Sequence, residues 1–463
     1  MTTQPPDNYI DLTIPETARI IVLSDIHGDH DTFIVNLRDN ARVISKSGFN
    51  PENGRDQDLD FYYYMVDLTH NKPYDSSLGY KWCGGNTHVV IVGDMIDPYR
   101  RMGGFDARSE NFYWRQQEVK LLLFINEMNR QAKKEGGRVL KVLGNHDLVN
   151  LLANLDPAIN FISQHAHPED LLEDNYCGGF SRINYFKLGN PGGDLILEDR
   201  AYVLLKIKNY LFVHGNLPTP FSDKNIGLFS FDDFHNINRL INTGTATVDD
   251  LERIVRYPEM NNPLWNRESM PEEIHKRIHT PNDYCERLLD KKKRFCIVND
   301  IAHCDPTIMQ VFVGHCIQAT PCGQYDNRTY SIIDDSDSIR ETLVTHDHSD
   351  IYKGRSLPHD PSIRKNKLYG ITMECPKKEP HLWNIYHLDV GVGRGQSSMN
   401  FFNLVDQGHP ACPEDRNQRM EMHLGAVAPH ILEISNQGVI KIVRSTINHA
   451  RIHVPRREYD KRR

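Results

Sequence analysis

The sequence predicts an α/β fold, on three observations: five short aliphatic runs, a helical pattern set between two of them, and a polar ending after each run. The runs are Ile20-Ile21-Val22-Leu23, Val89-Val90-Ile91-Val92, Val139-Leu140-Lys141-Val142-Leu143, Leu211-Phe212-Val213 and Val311-Phe312-Val313. Each is short and rich in β-branched residues, which is the pattern of a strand buried on both faces. Between the second and third, Leu121, Phe124, Ile125 and Met128 recur at helical spacing, and Gly136-Gly137 follows as a stop. Strands and helices therefore alternate through at least the first half of the chain.

Length and composition narrow the class. A chain of 463 residues can bury a large core, either as two or three average domains or as one α/β domain enlarged by insertions. Hydrophobic residues make up 39% and charged residues 25%, a soluble globular balance. The net charge of −8 argues against a protein that coats nucleic acid or a membrane, because phosphate surfaces need a basic footprint. It leaves room for a small phosphorylated substrate at a locally cationic site. The nine cysteines are odd in number and form no C-x-x-C pair, so neither a disulfide framework nor a zinc ribbon is indicated. A reducing, cytoplasmic setting is the expectation. Residues 1–19 lack the apolar run of a signal peptide, and no stretch reaches membrane-span length. The sequon Asn327-Arg328-Thr329 is a match short enough to arise by chance.

The strand endings carry the chemistry. They deliver Asp25, His27, Asp94, Asn145, His146, His214 and His315 just past the carboxyl ends of the runs, where open α/β sheets place ligands. A mixed set of carboxylate oxygen and imidazole nitrogen suits manganese, iron or zinc over calcium. The set is too large for one ion, so two ions sharing a carboxylate is the economical arrangement. Two cations roughly 3.5–4 Å apart can clamp the oxygens of an in-line phosphoryl displacement. A single histidine beside a glycine is ordinarily a turn or core residue. Five such endings in order carry the signal that one cannot.

These blocks resemble the calcineurin-like metallophosphoesterase superfamily, whose motifs run D-x-H-G, G-D-x-x-D, G-N-H-[DE], H-G and G-H. The chain has Asp25-Ile26-His27-Gly28, Gly93-Asp94-Met95-Ile96-Asp97, Gly144-Asn145-His146-Asp147, His214-Gly215 and Gly314-His315. A weaker piece, Leu388-Asp389-Val390-Gly391, extends the likeness. The resemblance implies a four-layer α/β/β/α sandwich with long loop insertions and two divalent or trivalent metal ions. It implies that the first ion takes Asp25, His27 and Asp94. The second takes Asp94 as a bridge with Asn145, His214 and His315. It makes His146 the acid that protonates the leaving oxygen, with Asp97 as its carboxylate partner, a task suited to a group that titrates near neutrality. A hydroxide bridging the two metals is the nucleophile that the resemblance implies, attacking phosphorus directly.

Within that superfamily the chain looks like the serine/threonine phosphoprotein phosphatases, and most like the Shewanella-like ones. Ile317 stands where many nucleases and phosphodiesterases have a second histidine, in Gly314-His315-Cys316-Ile317. Pro263-Leu264-Trp265-Asn266-Arg267 lies where that branch places a phosphate-binding arginine after a tryptophan. Arg267 is thus the expected stabiliser of transition-state charge, its planar fork matching phosphate oxygens; the bland alternative is a surface stacking pair. The chain departs from the branch at Pro98, which replaces the usual arginine, and at Asp147 and Asn216. Arg100 or Arg101 is the substitute candidate for substrate binding, against a solvated charge pair.

A single domain is expected over residues 15–445, interrupted by insertions at 45–87 and 320–380 and followed by a basic tail at 446–463. His346 and His348 have metal-like spacing but sit in the polar second insertion and read as solvated loop residues, as do His165 and His167. Gly391-Val392-Gly393-Arg394-Gly395 is not a dinucleotide loop. The expected substrate is a phosphoprotein or another phosphomonoester. The alternatives are a nucleotide or dinucleoside polyphosphate phosphohydrolase on the same centre, or a catalytically weak metal-binding scaffold.

Overall fold

The structure, a computed structural model, describes residues 10–46, 77, 79–98, 117–166, 168–171, 174, 176–215, 231–255, 264, 310–315, 329–331, 372–374, 384–388 and 430–444. The strands of its first half are β1 Asp11–Leu12, β2 Ile20–Ser24, β3 Ile44–Lys46, β4 Tyr80–Trp82, β5 His88–Val92, β6 Arg138–Val142, β7 Ala201–Tyr202, β8 Leu204–Ile207 and β9 Tyr210–Val213. Those of the second are β10 Gln310–Val313, β11 Thr329–Ser331, β12 Thr372–Glu374, β13 Asn384–His387, β14 His430–Ile434 and β15 Ile440–Arg444. All five predicted runs are strands. The third stops at Val142, because the Leu143 N–H turns aside to the Tyr202 carbonyl at 2.6 Å.

They assemble into two mixed sheets and a small pair. The six-stranded sheet has the order β15-β14-β2-β5-β6-β7, and the seven-stranded sheet β1-β8-β9-β10-β13-β12-β11. Alternation along each strand decides which face goes where. Ile20, Val22, Val90, Val92, Leu140 and Val142 share one buried cluster with Phe212, Phe312 and Leu205 of the other sheet, so the two sheets pack face to face. Phe212 and Phe312 stack there with ring centroids 5.0 Å apart. Burying each such side chain contributes roughly 1.5–3 kcal/mol.

Ile21, Leu23, Val89, Ile91 and Val139 point the other way, into a cluster with Val119, Leu122, Phe124, Ile125 and Met128. The last five lie on one helix, Gln117–Lys134, which covers the outer face of the six-stranded sheet. Three further helices flank the strand ends: α1 His30–Val35, with Asp29 accepting from the Thr32 N–H as its cap, then, counting Gln117–Lys134 as α2, α3 Asn145–Leu151 and α4 Asp156–His165.

The described edges of the stretch 45–87 are strands. β3 and β4 pair antiparallel, and Ile44, Tyr80 and Trp82 belong to the core. Within 320–380, β11 and β12 extend the seven-stranded sheet at its edge. The tail 446–463, His346, His348, Asn327 and residues 389–395 lie outside the described residues. No helix among the described residues is long and apolar enough to cross a membrane.

Register is what positions the site. Ser24 pairs with Val92, and Val92 with Val142, in adjacent parallel strands. The loops that follow, beginning at Asp25, Gly93 and Leu143, therefore leave one edge side by side. In the other sheet Val213 pairs with Val313, so His214 and Gly314-His315 emerge together.

Candidate metal centre

The first two loops are laced by their backbones. The His27 N–H donates to the Asp94 carbonyl at 2.9 Å and the Gly28 N–H to the Met95 carbonyl at 2.7 Å. Reaching this arrangement bends the chain into the left-handed region at Asp25 (φ 40°), His27 (φ 46°), Asp94 (φ 48°), Asp97 (φ 65°) and His315 (φ 66°). Non-glycine residues seldom adopt that region, and each such position costs on the order of 1–3 kcal/mol. The surrounding fold over-determines them. Gly93 (φ 84°) carries no such strain, and a Cβ there would overlap the His214 ring.

Asp94 is the centre. Its ligand atoms fall within 4.8 Å of those of His27 and His146 on one side, and of His214 and His315 on the other. His214 Nε2 is 3.3 Å from Asp94 Oδ2, His146 Nε2 is 3.8 Å away and His27 Nε2 is 3.9 Å away. The other nitrogens of two rings are tied to backbone: His27 Nδ1 to the Ile96 carbonyl at 3.0 Å, and His214 Nδ1 to the Val92 carbonyl at 3.1 Å. A carbonyl can only accept, so each Nδ1 carries the proton and each Nε2 is presented to the carboxylate. Asn145 Oδ1 lies 2.9 Å from His214 Nε2. Asp25 accepts from the His315 N–H at 3.1 Å on both oxygens and from the Ser24 hydroxyl, and its Oδ1 is 4.0 Å from His214 Nδ1.

The electrostatics suit a candidate cation site. Burial by itself lowers the His214 imidazole, but Asp94 and Asp25 overcome this and hold it up at about 10. Burial by itself raises the Asp94 carboxyl, but His214, His146 and His27 keep it well below its usual range. In the ion-free protein a proton on His214 Nε2 thus neutralises charge where a metal would. A donor set of buried carboxylates with oriented Nε2 atoms fits a divalent ion such as manganese, iron or zinc.

His146 sits one step away. It is the second residue of α3, its N–H donates to Asp94 Oδ1 at 3.0 Å, and its Nδ1 is 2.7 Å from Asp97 Oδ2. Asp97 is fully buried and also accepts from Asn150 Nδ2 and from Arg182. Asp147 is buried too, and its two oxygens accept the Met95 and Gly144 N–H groups at 3.0 and 2.9 Å, tying the second loop to the third.

The structure brings Asp25, His27, Asp94, Asp97, Asn145, His146, His214 and His315 together. Arg100, Arg101, Arg267, Trp265, Asn216, Ile317 and His167 lie outside the described residues. His165 corrects the sequence reading. It is half-buried at the end of α4, not a solvated loop residue, and its ring packs edge-on against His146 with centroids 4.8 Å apart. A carbonyl one helical turn back, at Phe161, fixes its Nδ1 at 2.8 Å. Sequence reasoning gave no role to Glu118, Asn150, Tyr176 or Arg182. No spacing rule joins them, since each comes from a different segment.

No protein-family profile matches the chain. Over 71 residues, 15% of this chain, it is 35% identical to Shewanella-like protein phosphatase 2 of Arabidopsis thaliana, of which that stretch is 14%. Over 99 residues, 21% of the chain, it is 33% identical to the uncharacterized protein R398 of Acanthamoeba polyphaga mimivirus, of which that is 38%. The matched stretches thus span well under half of these relatives' lengths. Among solved structures, a cold-active protein-tyrosine phosphatase of a psychrophilic Shewanella species overlaps 96% of this chain and 86% of its own at 13% identity, with a TM-score of 0.40. A protein serine/threonine phosphatase from Saccharomyces cerevisiae overlaps 67% and 66% at 14% identity, with a TM-score of 0.29. Overlap at these scores identifies neither fold nor function.

Proposed function

We propose that this chain is a metal-dependent phosphomonoester hydrolase acting on phosphoserine or phosphothreonine in proteins, built as a four-layer α/β/β/α sandwich. The observation that carries the reading is the shared Asp94 carboxylate, with His27 on one side and His214 and His315 on the other; His146, whose Nε2 also faces Asp94, is kept for the acid role because Asp97 holds its Nδ1. One carboxylate between two nitrogen donor groups suits a pair of cations. The 35% identity to a Shewanella-like protein phosphatase over a short stretch supports the choice of a phosphoprotein substrate.

In this reading Asp25, His27 and Asp94 hold one ion, and Asp94, Asn145, His214 and His315 hold the other. The ions, when bound, supply Lewis acidity toward the phosphoryl oxygens and a water acidified enough to attack phosphorus. His27 and His214 keep their Nδ1 protons on backbone carbonyls, so in each ring Nε2, which faces Asp94, is the nitrogen that would bind an ion. Asp97 orients His146, whose Nε2 protonates the departing alkoxide. Arg267, assisted by Arg100 or Arg101, takes up charge on the phosphoryl oxygens.

The test is a substrate panel on manganese-loaded protein: a phosphoserine peptide, p-nitrophenyl phosphate, diadenosine tetraphosphate and a cyclic nucleotide. Fastest turnover of the phosphopeptide is expected. Preference for the dinucleotide would replace the substrate class while keeping the centre. No hydrolysis above buffer, in protein shown to hold metal, would sink the reading.

A further inference from the structure

Asp97 is the residue that aims His146, and three other buried side chains, those of Arg182, Asn150 and Glu118, hold it still. Its Oδ1 accepts from Arg182 Nη2, and Asn150 Nδ2 donates to its two oxygens at 3.1 and 3.0 Å. Its own N–H donates to Glu118 Oε2 at 3.0 Å. Arg182 is the hub of the group. Its Nε donates to Glu118 Oε1 at 2.6 Å, its Nη2 to Glu118 Oε2 at 2.7 Å and its Nη1 to Asn150 Oδ1 at 3.0 Å. Tyr176 Oη donates to Glu118 Oε1 at 2.5 Å, and the Phe186 ring lies 5.1 Å from the guanidinium.

We propose that Arg182 is a positioning residue for His146, acting through Asp97, and that it takes no part in binding phosphate. This rests on the reading of His146 as the acid. Arg182 is only 1% exposed, and Asp97 stands between it and His146. Three donor atoms reach three different residues, Asp97, Glu118 and Asn150. Two carboxylates in a dry pocket repel one another unless a cation lies between them, and a guanidinium there never loses its proton. The guanidinium comes from a segment distant from Asp97, placed by the short helix Arg182–Tyr185 and its Ser181 cap. A lysine would offer one point charge where a planar fork is used, so Arg182→Lys is not conservative here.

A misaimed His146 harms only the step in which the leaving group needs a proton. In Arg182→Met and Arg182→Lys we expect bound metal unchanged and KM within about twofold, with kcat falling on the order of 100-fold for an alkyl phosphate and under about fivefold for p-nitrophenyl phosphate. An equal loss for both leaving groups, or loss of metal, would overturn the proposal. If Arg182→Met does not fold, Asn150→Ala, which removes the amide bonds to Asp97 and to the His146 carbonyl together with the acceptor for Arg182 Nη1, carries the same leaving-group expectation, and a flat loss there counts equally against it. A readout independent of turnover is the nitrogen-15 spectrum of His146 in the metal-free protein. In the wild type Nδ1 is expected to keep its proton on Asp97 whether or not Nε2 carries one, so that the neutral ring is a single Nδ1–H tautomer, whereas in Arg182→Lys the neutral ring is expected to be a mixture. An unchanged tautomer refutes Arg182 even if the wild type hydrolyses nothing, an outcome that would refute the phosphatase reading by itself.

Discussion

Asp97 Oδ2 and His146 Nδ1 are bonded at 2.7 Å inside the protein, while Nε2 of the same ring faces Asp94 at 3.8 Å. The histidine is thus held at Nδ1 by one carboxylate and turned at Nε2 toward the other. His146→Asn should leave both ions bound and lower kcat about 100- to 1,000-fold on a phosphoserine peptide, with a smaller loss on p-nitrophenyl phosphate. Metal content by mass spectrometry, read beside kcat for the two substrates, checks this.

Asp94→Asn removes the one carboxylate that both donor groups share. Metal and activity should disappear together, because an amide cannot neutralise two cations. A variant that retains two ions by metal analysis would contradict the bridging role.

Metal binding should release a proton. His214 is held up at about 10 in the ion-free protein, so at neutral pH its Nε2 is protonated, and it must lose that proton to bind a cation. The bound state holds fewer protons, so apparent affinity rises with pH, by about tenfold per unit, up to the region near 10. Calorimetric titration with manganese in two buffers of different ionisation enthalpy measures the proton count. A count of zero would rule out His214 as the source.

Gly93→Ala should cost about 2–4 kcal/mol, since it combines a left-handed backbone at φ +84° with a Cβ driven into the His214 ring. Gly189→Ala has a similar φ of +80° but open space around it, and should cost about 1 kcal/mol. Urea midpoints of the two variants separate steric overlap from backbone strain.

Lys141 predicts a pH dependence of stability away from the site. It is fully buried on β6, with Nζ donating to Asn126 Oδ1 at 2.9 Å and to the Leu195 carbonyl at 3.1 Å. Burial pushes it down to about 7, against the pull of Glu198 and Asp199. Between about 7 and the unfolded value of 10.5 the unfolded chain holds the extra proton, so stability climbs with pH through that window, by at most about 5 kcal/mol. Lys141→Met should flatten the climb, as chemical denaturation at the two ends of the window would show.

Much of this was legible in one dimension. Continuous runs such as Val89-Val90-Ile91-Val92 mark strands buried on both faces, and the 3.6-residue recurrence of Leu121, Phe124, Ile125 and Met128 marks the helix that covers them, because both patterns follow from local geometry. The donors at the strand ends were legible for the same reason, since each sits one to four residues past a strand. Arg182, Glu118, Asn150 and Tyr176 were not. Their partnership with Asp97 joins separated segments, and nothing in the neighbourhood of any one of them announces the others. His165 was misjudged because helix α4 turns it back against His146.

By itself the amino-acid order determined the α/β class, the strands and the donor atoms, all properties of short windows with a fixed repeat. Only the tertiary structure decided that strand register aligns Asp25 with Asp94 in one sheet and His214 with His315 in the other, which ring nitrogen faces the centre, and that a buried guanidinium stands behind Asp97. Those depend on distances between remote segments, which packing sets and local periodicity does not encode.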